Sequence, residues 1–444
     1  MRFRPQFVAL AFAVSLAGVA APETPLLRFD FGPGAAAPGY TAVAPDTAFT
    51  PARGYGFEPG AKPDAVVRPD GDPLTGDFIT SAAPFRFTAR VPAEGNYRVT
   101  VTLGDAAGES TTTIKAELRR LMAENITTRA GAFTRVTFIV NTRTPRIAPR
   151  PGLAAGEVRL KVPRESVQEA WAWDDALTLE FSGRHPAVCA VAIEPADVPT
   201  IFLLGDSTVC DQSQEPYAAW GQMFARWFQP VVGIANHAES GETYRDSLGR
   251  RRLDKILSVL RPGDWLIMQF GHNDQKQIAA GTGGPFTTYP AEIKKHVEAV
   301  RAQGGHVIIV SPMERRSFDA AGKVRPSLAD YAAASQQVAQ ELGAPFIDLN
   351  ARSKPFYEAL EARGPEYSRR AFAGQDNTHH NNYGSYQLSR AVAQAIRAQH
   401  LPLASWLVAD FPGFDPAHPD DPENFAVPSS GNFTNERPLG DEGR

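Results

Sequence analysis

Apolar and polar residues alternate with a period of two over the first part of the chain, from about residue 25 to 195. The alternation is clear in 85–91 and 97–103, and it returns in 158–162 and 177–181, with Pro and Gly clusters between these runs. Successive side chains of a strand point to opposite faces of its sheet, so this pattern is typical of half-buried strands. Several short strands separated by turn signals predict a β-sandwich or a barrel.

Beyond Pro199 the pattern changes to continuous apolar runs separated by stretches with helical periodicity. Runs such as 265–270 and 307–310 are typical of strands that are buried on both faces. The helical stretches include 291–303, 328–342 and 385–399. Alternation of buried strand and amphipathic helix predicts a doubly wound parallel sheet. We therefore expect an α/β domain preceded by an all-β sandwich domain.

The two ends of the chain differ from these domains. Two arginines among the first four residues precede an apolar run over 7–20, which ends in small residues, the layout of a secretory signal. A membrane anchor is the alternative, but the run is shorter than the roughly 20 residues that a span needs. The segment 410–444 carries six prolines and little periodicity, which predicts a tail that is laid over the surface or disordered.

These patterns divide the chain into four parts: a signal peptide over 1–21, the sandwich over 25–197, the α/β domain over 198–405 and a proline-rich tail over 406–444. The signal predicts a secreted or periplasmic protein, and no membrane contact is expected after its cleavage.

Charge excludes some partners. The formal net charge is −4, and it becomes −6 when the two arginines of the signal are removed. A mildly acidic chain with scattered Lys and Arg lacks the clustered basic residues that bind nucleic acid or an anionic membrane. Any preference for an acidic ligand must therefore arise from local charges.

The two cysteines, Cys189 and Cys210, leave two alternatives open. In an oxidising compartment they could form one disulfide between the end of the first domain and the start of the second. Each could equally be a small buried apolar side chain.

Three short polar segments carry the candidate chemistry. Ser207 follows the apolar run 201–204, so it lies where a buried strand ends, and α/β enzymes expose nucleophiles at such positions. Asp376 and His379 are three residues apart, close enough for the carboxylate to orient the imidazole that removes a proton from serine. Asn273 supplies an amide donor of the kind that stabilises an oxyanion. Alternatively, Ser207 could cap a helix and Asn273 could be an ordinary turn residue.

Together the polar segments resemble the SGNH (GDSL) hydrolases, and within them the rhamnogalacturonan acetylesterase branch. The blocks that carry the resemblance, which covers roughly residues 200–400, are G-D-S-T at 205–208, N-x-A-x-S-G at 236–241, G-x-N-D at 271–274, and D-x-T-H at 376–379 followed by Asn381 and Gly384. One departure is Glu242, because the branch often has a basic residue after the glycine of the second block. At the other end, F-D-F-G at 29–32 and Y-G-F at 55–57 resemble the galactose-binding-like sandwiches found beside polysaccharide esterases.

The resemblance implies a three-layer, flavodoxin-like SGNH domain and a role for each matching residue. Ser207 would be the nucleophile, His379 the base and Asp376 the acid that orients it. The backbone N–H of Ser207, with Gly241 and Asn273, would form the oxyanion hole; each of the latter two alone would be an ordinary turn residue.

Three further residues are candidates for substrate contact. His380 either packs or touches substrate. Arg315 and Arg316 follow the strand that ends at Pro312, at the ligand-binding edge of the sheet. They are candidates to bind a uronate carboxylate, with solvated surface arginines as the alternative.

A metal site is the rival interpretation of Asp376, His379 and His380. Adjacent residues seldom converge on one ion, and the chain has no Cys or His pair with zinc spacing. We expect neither a metal nor another cofactor.

The expected function is that of a serine esterase that removes O-acetyl groups from a plant cell-wall polysaccharide or its oligosaccharides. Rhamnogalacturonan is the substrate that the resemblance favours, with acetylated xylan or another carbohydrate ester as the alternative. A hypothesis of another class is a carbohydrate-binding protein whose esterase domain is inactive, although the complete set of blocks argues against it.

Overall fold

The computed structural model describes residues 27–68 and 72–431. The predicted signal peptide and the last part of the predicted tail, 432–444, lie outside the described residues. No helix within the described ranges is both long enough and apolar enough to cross a bilayer.

The first part of the chain is built from strands, as its period of two predicts. In chain order they are β1 (Leu27–Phe31), β2 (Thr41–Val43), β3 (Tyr55–Phe57), β4 (Asp64–Val67), β5 (Asp77–Thr80), β6 (Phe85–Arg90), β7 (Gly95–Gly104), β8 (Ser110–Ala116), β9 (Arg120–Thr128), β10 (Phe133–Thr142), β11 (Arg146–Ile147), β12 (Gly156–Glu157), β13 (Ala176–Ser182) and β14 (Val188–Pro195).

Two of the sheets formed by these strands pack face to face around an aromatic core. One has the order β10-β7-β14-β1-β2, with β5 joined to β14 and β4 to β5, and the other has the order β3-β6-β13-β8-β9. Phe29 and Phe31 of the first sheet meet Phe87 of the second edge-on, with ring centroids 4.9 and 4.8 Å apart. Each such buried ring stabilises the fold by roughly 1.5–3 kcal/mol. The predicted β-sandwich is confirmed.

The second part of the chain contains a parallel sheet of order β16-β15-β17-β18-β19 with helices on both faces. Its strands are β15 (Thr200–Gly205), β16 (Gly233–Asn236), β17 (Trp265–Gln269), β18 (His306–Val310) and β19 (Phe346–Ile347). Its helices are α1 (Trp220–Phe224), α2 (Tyr244–Gly249), α3 (Arg252–Val259), α4 (Lys276–Ala279), α5 (Thr288–Ala302), α6 (Ala329–Leu342), α7 (Leu349–Glu361), α8 (Pro365–Arg369) and α9 (Asn382–Ala398).

Strand β15 shows why this sheet is buried on both faces. Ile201 and Leu203 belong to an apolar cluster that continues into α9 and into the sandwich, whereas Phe202 and Leu204 belong to a second cluster under α3, α5 and α6. A strand covered on both sides needs apolar residues at successive positions. The predicted three-layer α/β domain is confirmed, and the loops after β15, β16 and β17 meet at one edge of its sheet.

The described part of the tail lies against the folded domains. Phe411 and Phe414 join the main apolar cluster. Farther along, the Ser430 N–H donates to Glu215 Oε1 at 2.8 Å, and the Ser430 hydroxyl donates to Glu180 Oε1 at 2.7 Å.

Both cysteines are buried and unpaired. Cys189 Sγ donates to the Gly104 carbonyl at 3.3 Å, and Cys210 Sγ lies 3.4 Å from Ser240 Oγ. Of the two alternatives, the structure therefore has the small buried side chains and not the disulfide.

Candidate active site

Ser207 lies in a tight turn directly after β15. Gly205, which ends the strand, has no room for a side chain, because a Cβ there would lie 2.5 Å from the Gln269 carbonyl oxygen. Asp206 then fixes the turn, since its Oδ1 accepts hydrogen bonds from the Thr208 N–H at 2.9 Å and from the Thr208 hydroxyl at 2.7 Å. This local geometry holds Ser207 at the carboxyl edge of the sheet, where α/β folds place their reacting groups.

Ser207, His379 and Asp376 form a continuous chain of hydrogen bonds. Ser207 Oγ lies 2.8 Å from His379 Nε2, and His379 Nδ1 lies 2.9 Å from Asp376 Oδ2. A carboxylate can only accept, so Nδ1 carries the proton and Nε2 is left to accept from the serine hydroxyl. This arrangement can deprotonate the hydroxyl as it attacks an ester carbonyl.

Asp376 is held in its charged form. Burial alone would raise the pKa of this carboxyl group. The hydrogen bond from the His379 ring, together with the electrostatic interaction with that ring, instead lowers the pKa below its usual value. The second carboxylate oxygen accepts from the backbone N–H groups of Thr378 at 2.7 Å and His379 at 3.0 Å. Asp376 can therefore stabilise a positive charge that forms on His379 during a reaction.

The predicted oxyanion residues lie in the loops after β16 and β17. Gly241 has φ +73°, a left-handed conformation that favours glycine. Asn273 Nδ2 donates to the Glu242 carbonyl at 3.1 Å, while its Oδ1 accepts from Lys276 Nζ at 3.1 Å. An amide nitrogen carries two hydrogens. The contact with Glu242 therefore leaves one N–H of Asn273 for a ligand.

A cavity of about 900 Å³, which we call the Asn273 cavity, opens beside these loops. Its cationic lining residues are Arg245, Lys276 and Arg315, and Asp246 is its acidic lining residue. Arg315 donates to Gln275 Oε1 at 2.9 Å, Thr378 Oγ1 at 3.2 Å and the His272 carbonyl at 3.4 Å. These acceptors are neutral, so the positive charge of Arg315 is not balanced by a direct carboxylate contact with any described residue.

Arg316 and His380 do not reach this cavity. Arg316 donates to Ser368 Oγ at 2.8 Å and lies 3.6 Å from Glu361, on the other side of the loop. His380 is 1 % exposed, and its Nε2 lies 2.8 Å from the Tyr357 hydroxyl. Burial lowers the pKa of His380 to about 3, so the ring is neutral. Both side chains thus lie outside the Asn273 cavity, and a role for either in substrate binding stays a prediction.

The loop after Ser207 is held by side chains of the first domain, which sequence reasoning missed. Arg164 Nη2 donates to Gln212 Oε1 at 3.2 Å and to Ser240 Oγ at 3.0 Å. Gln212 Nε2 in turn donates to the Ser207 carbonyl at 2.8 Å. Arg119 adds hydrogen bonds to the backbone carbonyls of Gln212 and Tyr217, both at 3.1 Å. No local pattern around these arginines signals the role, because their partners lie 48 to 98 residues away.

Glu242, the departure from the resemblance, faces the first domain. It is 0 % exposed, and its carboxylate lies 2.8 Å from Lys161 Nζ and 3.4 Å from Arg252 Nε. Burial raises its pKa, and the two cations act in the opposite direction. Glu242 therefore ties the loop of Gly241 to the sandwich instead of lining the Asn273 cavity.

The described residues contain no group of three or more His, Cys, Asp and Glu side chains placed to hold a metal ion. In the rival metal interpretation, His380 would converge with Asp376 and His379. The ring of His380 instead makes its hydrogen bond to Tyr357.

Comparison with known proteins matches the two parts of the chain separately. Residues 203–421 match the GDSL-like lipase/acylhydrolase family, and residues 27–132 match the galactose-binding domain-like family of β-agarase and YXIM esterase. Rhamnogalacturonan acetylesterase RhgT of Bacillus subtilis (strain 168) is 36% identical over 224 residues, which cover 47% of this chain and 94% of RhgT.

A second relative spans both parts. The uncharacterized esterase YxiM of Bacillus subtilis (strain 168) is 25% identical over 401 residues, which cover 86% of this chain and 94% of YxiM. The crystal structure of YxiM from Bacillus subtilis aligns with 85% of this chain and 99% of its own at 25% identity, with a TM-score of 0.45. The chain therefore belongs to the GDSL-like lipase/acylhydrolase family of carboxylic ester hydrolases, with a galactose-binding-like domain before its hydrolase domain.

Proposed function

We propose that this protein is a serine acetylesterase that removes O-acetyl groups from rhamnogalacturonan. The observation that carries the proposal is the chain of hydrogen bonds from Ser207 Oγ through His379 to Asp376, with distances of 2.8 and 2.9 Å. A hydroxyl, a neutral imidazole and a carboxylate in this order are the groups that acyl transfer from an ester requires.

The reaction proceeds in two halves. Ser207 Oγ attacks the acetyl carbonyl carbon while His379 Nε2 takes the hydroxyl proton. The tetrahedral intermediate collapses, its bond to the sugar oxygen breaks, and His379 returns the proton to the departing sugar hydroxyl. Water then attacks the acetyl group on Ser207 with His379 again as base, which releases acetate and restores the serine. No cofactor enters this sequence.

The oxyanion of each tetrahedral intermediate is stabilised by the backbone N–H groups of Ser207 and Gly241 and by the second N–H of Asn273. Donors that are fixed before the reaction act without reorganisation, and removing one typically costs about 10²–10³ in kcat. The capped turn at Ser207 and the Asn273–Glu242 hydrogen bond supply that rigidity.

Two observations support rhamnogalacturonan as the polysaccharide. The relative RhgT, 36% identical to this chain, is named a rhamnogalacturonan acetylesterase. In addition, Arg315 lines the Asn273 cavity and its guanidinium contacts neutral acceptors, whereas the neighbouring Arg245 is paired with Glu292 at 2.9 Å. A guanidinium without a carboxylate partner in the cavity favours a polymer with uronate carboxylates over neutral xylan or mannan.

The test is acetate release from acetylated rhamnogalacturonan, xylan and mannan by the wild-type protein and by Ser207→Ala. We expect the highest kcat/KM on rhamnogalacturonan and no release by a folded Ser207→Ala protein. Faster release from xylan or mannan would move the substrate assignment to that polymer. If a folded wild-type protein released acetate from none of them, nor from p-nitrophenyl acetate, the result would favour an inactive carbohydrate-binding protein.

The two neighbouring arginines provide a matched control. Arg315→Met should raise KM for rhamnogalacturonan by roughly tenfold, the loss expected for one charge-assisted contact. Its kcat on p-nitrophenyl acetate should hold, because that ester has no carboxylate. Arg316→Met, which removes an arginine outside the cavity, should change neither KM for rhamnogalacturonan nor kcat on p-nitrophenyl acetate. Equal effects of the two variants would rule out a uronate contact at Arg315.

A further inference from the structure

A second cavity, of about 520 Å³, lies at the seam between the two domains, and we call it the seam cavity. Its sandwich wall includes Asn96 at the start of β7 and Thr142 at the end of β10, and its other wall includes Thr200 and Lys255. Because Thr200 begins β15 and Ser207 follows its other end, the strand separates this cavity from the serine by roughly 15–20 Å.

Arg143 lines the seam cavity, and its guanidinium has no hydrogen-bonding partner among the residues that the structure describes. The residue is 7% exposed, its Nε is buried without an acceptor, and its guanidinium carbon lies 4.4 Å from the centre of the Trp173 ring. No carboxylate of the described residues forms an ion pair with it within 4.0 Å. Burial, followed by the charge of Arg120, lowers the pKa of Arg143 to about 10. Asp211, Glu117 and Glu165 act in the opposite direction without forming an ion pair with it, and the group stays charged at neutral pH. A buried cation of this kind is costly unless an anion or ordered solvent meets it.

The remaining charges leave the seam cavity positive. Among its described lining residues are four cations, Arg143, Arg150, Lys255 and Arg261, and two carboxylates, Glu94 and Asp197. The carboxylates are occupied, because Glu94 pairs with Lys255 at 2.7 Å and Asp197 pairs with Arg261 at 2.5 Å. Arg150 donates to neutral acceptors, the Leu260 carbonyl and Gln303 Oε1. Arg143 and Arg150 therefore remain without a carboxylate.

Uncharged groups in the same cavity are also unpaired. Thr142 Oγ1 and His237 Nδ1 are buried without hydrogen-bonding partners among the described residues. Burial, followed by the charge of Arg143, lowers the pKa of His237 well below its usual value, so this ring is neutral. Neutral imidazole and hydroxyl groups are suited to sugar hydroxyls, since both can donate and accept.

We propose that the seam cavity is a binding site for a small sugar acid, with its carboxylate on Arg143 and Arg150 and its hydroxyls on Thr142 and His237. The volume lies within the range of roughly 300–1,000 Å³ that small-molecule sites occupy. A planar guanidinium fork suits a carboxylate geometrically. This site is separate from the Asn273 cavity, so the proposal does not depend on the proposed function.

The test is calorimetric titration of the intact protein with galacturonate, galactose, acetate and inorganic phosphate. Galacturonate should bind, and galactose and acetate should each bind at least about tenfold more weakly, because each lacks one half of the recognised chemistry. Arg150→Ala should weaken galacturonate binding by a similar factor. The matched control is Arg301→Ala, which removes an exposed arginine that also donates to a backbone carbonyl, that of Leu342, but lies outside the cavity.

Further variants assign the binding to this cavity and guard against misfolding. Thr142→Val, a nearly isosteric change, should weaken galacturonate but not acetate binding at an unchanged melting temperature. Ser207→Ala, which leaves the seam cavity unchanged, should bind galacturonate as the wild type does. Binding that survives Arg150→Ala but is lost in Arg315→Met would place the ligand in the Asn273 cavity and overturn the proposal. Equal binding of phosphate would overturn the sugar-acid assignment, and absence of any binding would show that the seam holds only solvent.

Discussion

His379 and His380 are neighbours in sequence but lie in different environments. The His379 ring bridges Ser207 and Asp376, whereas the centre of the His380 ring lies 4.5 Å from that of Phe372 and its Nε2 meets the Tyr357 hydroxyl. His380 forms isolated β-bridges with Ala218 and Phe372, and consecutive side chains of such extended backbone point to opposite sides. One side chain therefore faces the serine and the other enters the core. Their substitution should therefore separate loss of chemistry from loss of stability.

We expect His379→Ala to lower kcat on p-nitrophenyl acetate by at least roughly 10²–10⁴-fold, the contribution of a general base. His380→Phe should keep kcat within about tenfold but lower the melting temperature, because a buried Tyr357 hydroxyl loses its partner at a cost of roughly 1–3 kcal/mol. Kinetics and thermal unfolding of both variants check this. The reverse ranking in kcat would mean that His380 is the base.

Asn273 combines an oxyanion donor with a contact to the next loop. Asn273→Ala should lower kcat by about 10²–10³-fold, and Asn273→Asp by more, because it places an anion beside the developing charge. KM should change less, since the oxyanion forms after binding. Both variants also lose the hydrogen bond to Glu242. If kcat fell only in proportion to the loss of folded protein, the role of Asn273 would be structural.

His296 makes stability depend on pH at a distance from the reacting serine. Its Nε2 lies 3.1 Å from Ser247 Oγ, and burial lowers its pKa from 6.5 to about 4. Between these values the unfolded state binds the proton first, so stability falls as pH decreases, by about 2 kcal/mol at pH 5 for this group. His296→Gln should reduce this slope in the melting temperature, while His418→Gln, which changes an exposed histidine, should not. An unchanged slope in His296→Gln would contradict the assignment.

At the scale of elements, the loop after β15 depends on the segment before β13. Residues 164–168 form a short π-helix that directs Arg164 toward Gln212 and Ser240, on either side of the Ser207 turn. Arg164 also pairs with Glu169 at 2.7 Å and Glu239 at 3.1 Å. One side chain of the first domain thus spans the loops that carry the nucleophile and an oxyanion donor.

Arg164→Lys keeps the charge, but one ammonium cannot replace both Nη2, which donates to Gln212 and Ser240, and Nε, which faces Glu239. We expect kcat to fall by roughly tenfold, with little change in KM for p-nitrophenyl acetate, and Gln212→Leu should act in the same way. The control is Arg86→Lys, which alters another Arg–Glu ion pair, that of the half-buried Arg86 with Glu180 at 2.7 Å, within the sandwich. If Arg86→Lys lowered kcat equally, the effect of Arg164 would be one of general stability.

At the scale of the whole molecule, buried charges and a shared core join the two domains. Arg120 of the sandwich donates to Asp211 Oδ2 at 3.0 and 2.7 Å, and both side chains are nearly inaccessible. Val140 of β10 and Ile234 of β16 belong to the same apolar cluster. Separating the domains would expose that cluster and leave buried ions unpaired.

Calorimetric unfolding should therefore show a single transition whose calorimetric and van't Hoff enthalpies agree. Arg120→Met should destabilise the protein by roughly 3–5 kcal/mol, because it leaves Asp211 buried without its cation. Two resolved transitions in the wild-type protein would show instead that the domains unfold independently.

The sequence by itself determined the features that depend on neighbouring residues. Period-two alternation before residue 195 and continuous apolar runs after Pro199 specify the two fold classes, because each pattern decides which sides of a strand are buried. The pairing of Asp376 with His379 could be predicted from the sequence because three residues span one turn of chain. Ser207 could be placed because a strand end is a local signal.

Only the tertiary structure decided which side chains meet across long separations. Arg315 lines the Asn273 cavity, whereas Arg316 pairs with Glu361 outside it. The two arginines are adjacent in a loop, and a loop has no periodic pattern that predicts which of them faces the cavity. Arg164 acts on Gln212, 48 residues away, and Glu242 is buried against Lys161. Whether a buried charge is tolerated depends on the partner that the fold brings to it, and that partner is set by packing and not by sequence spacing.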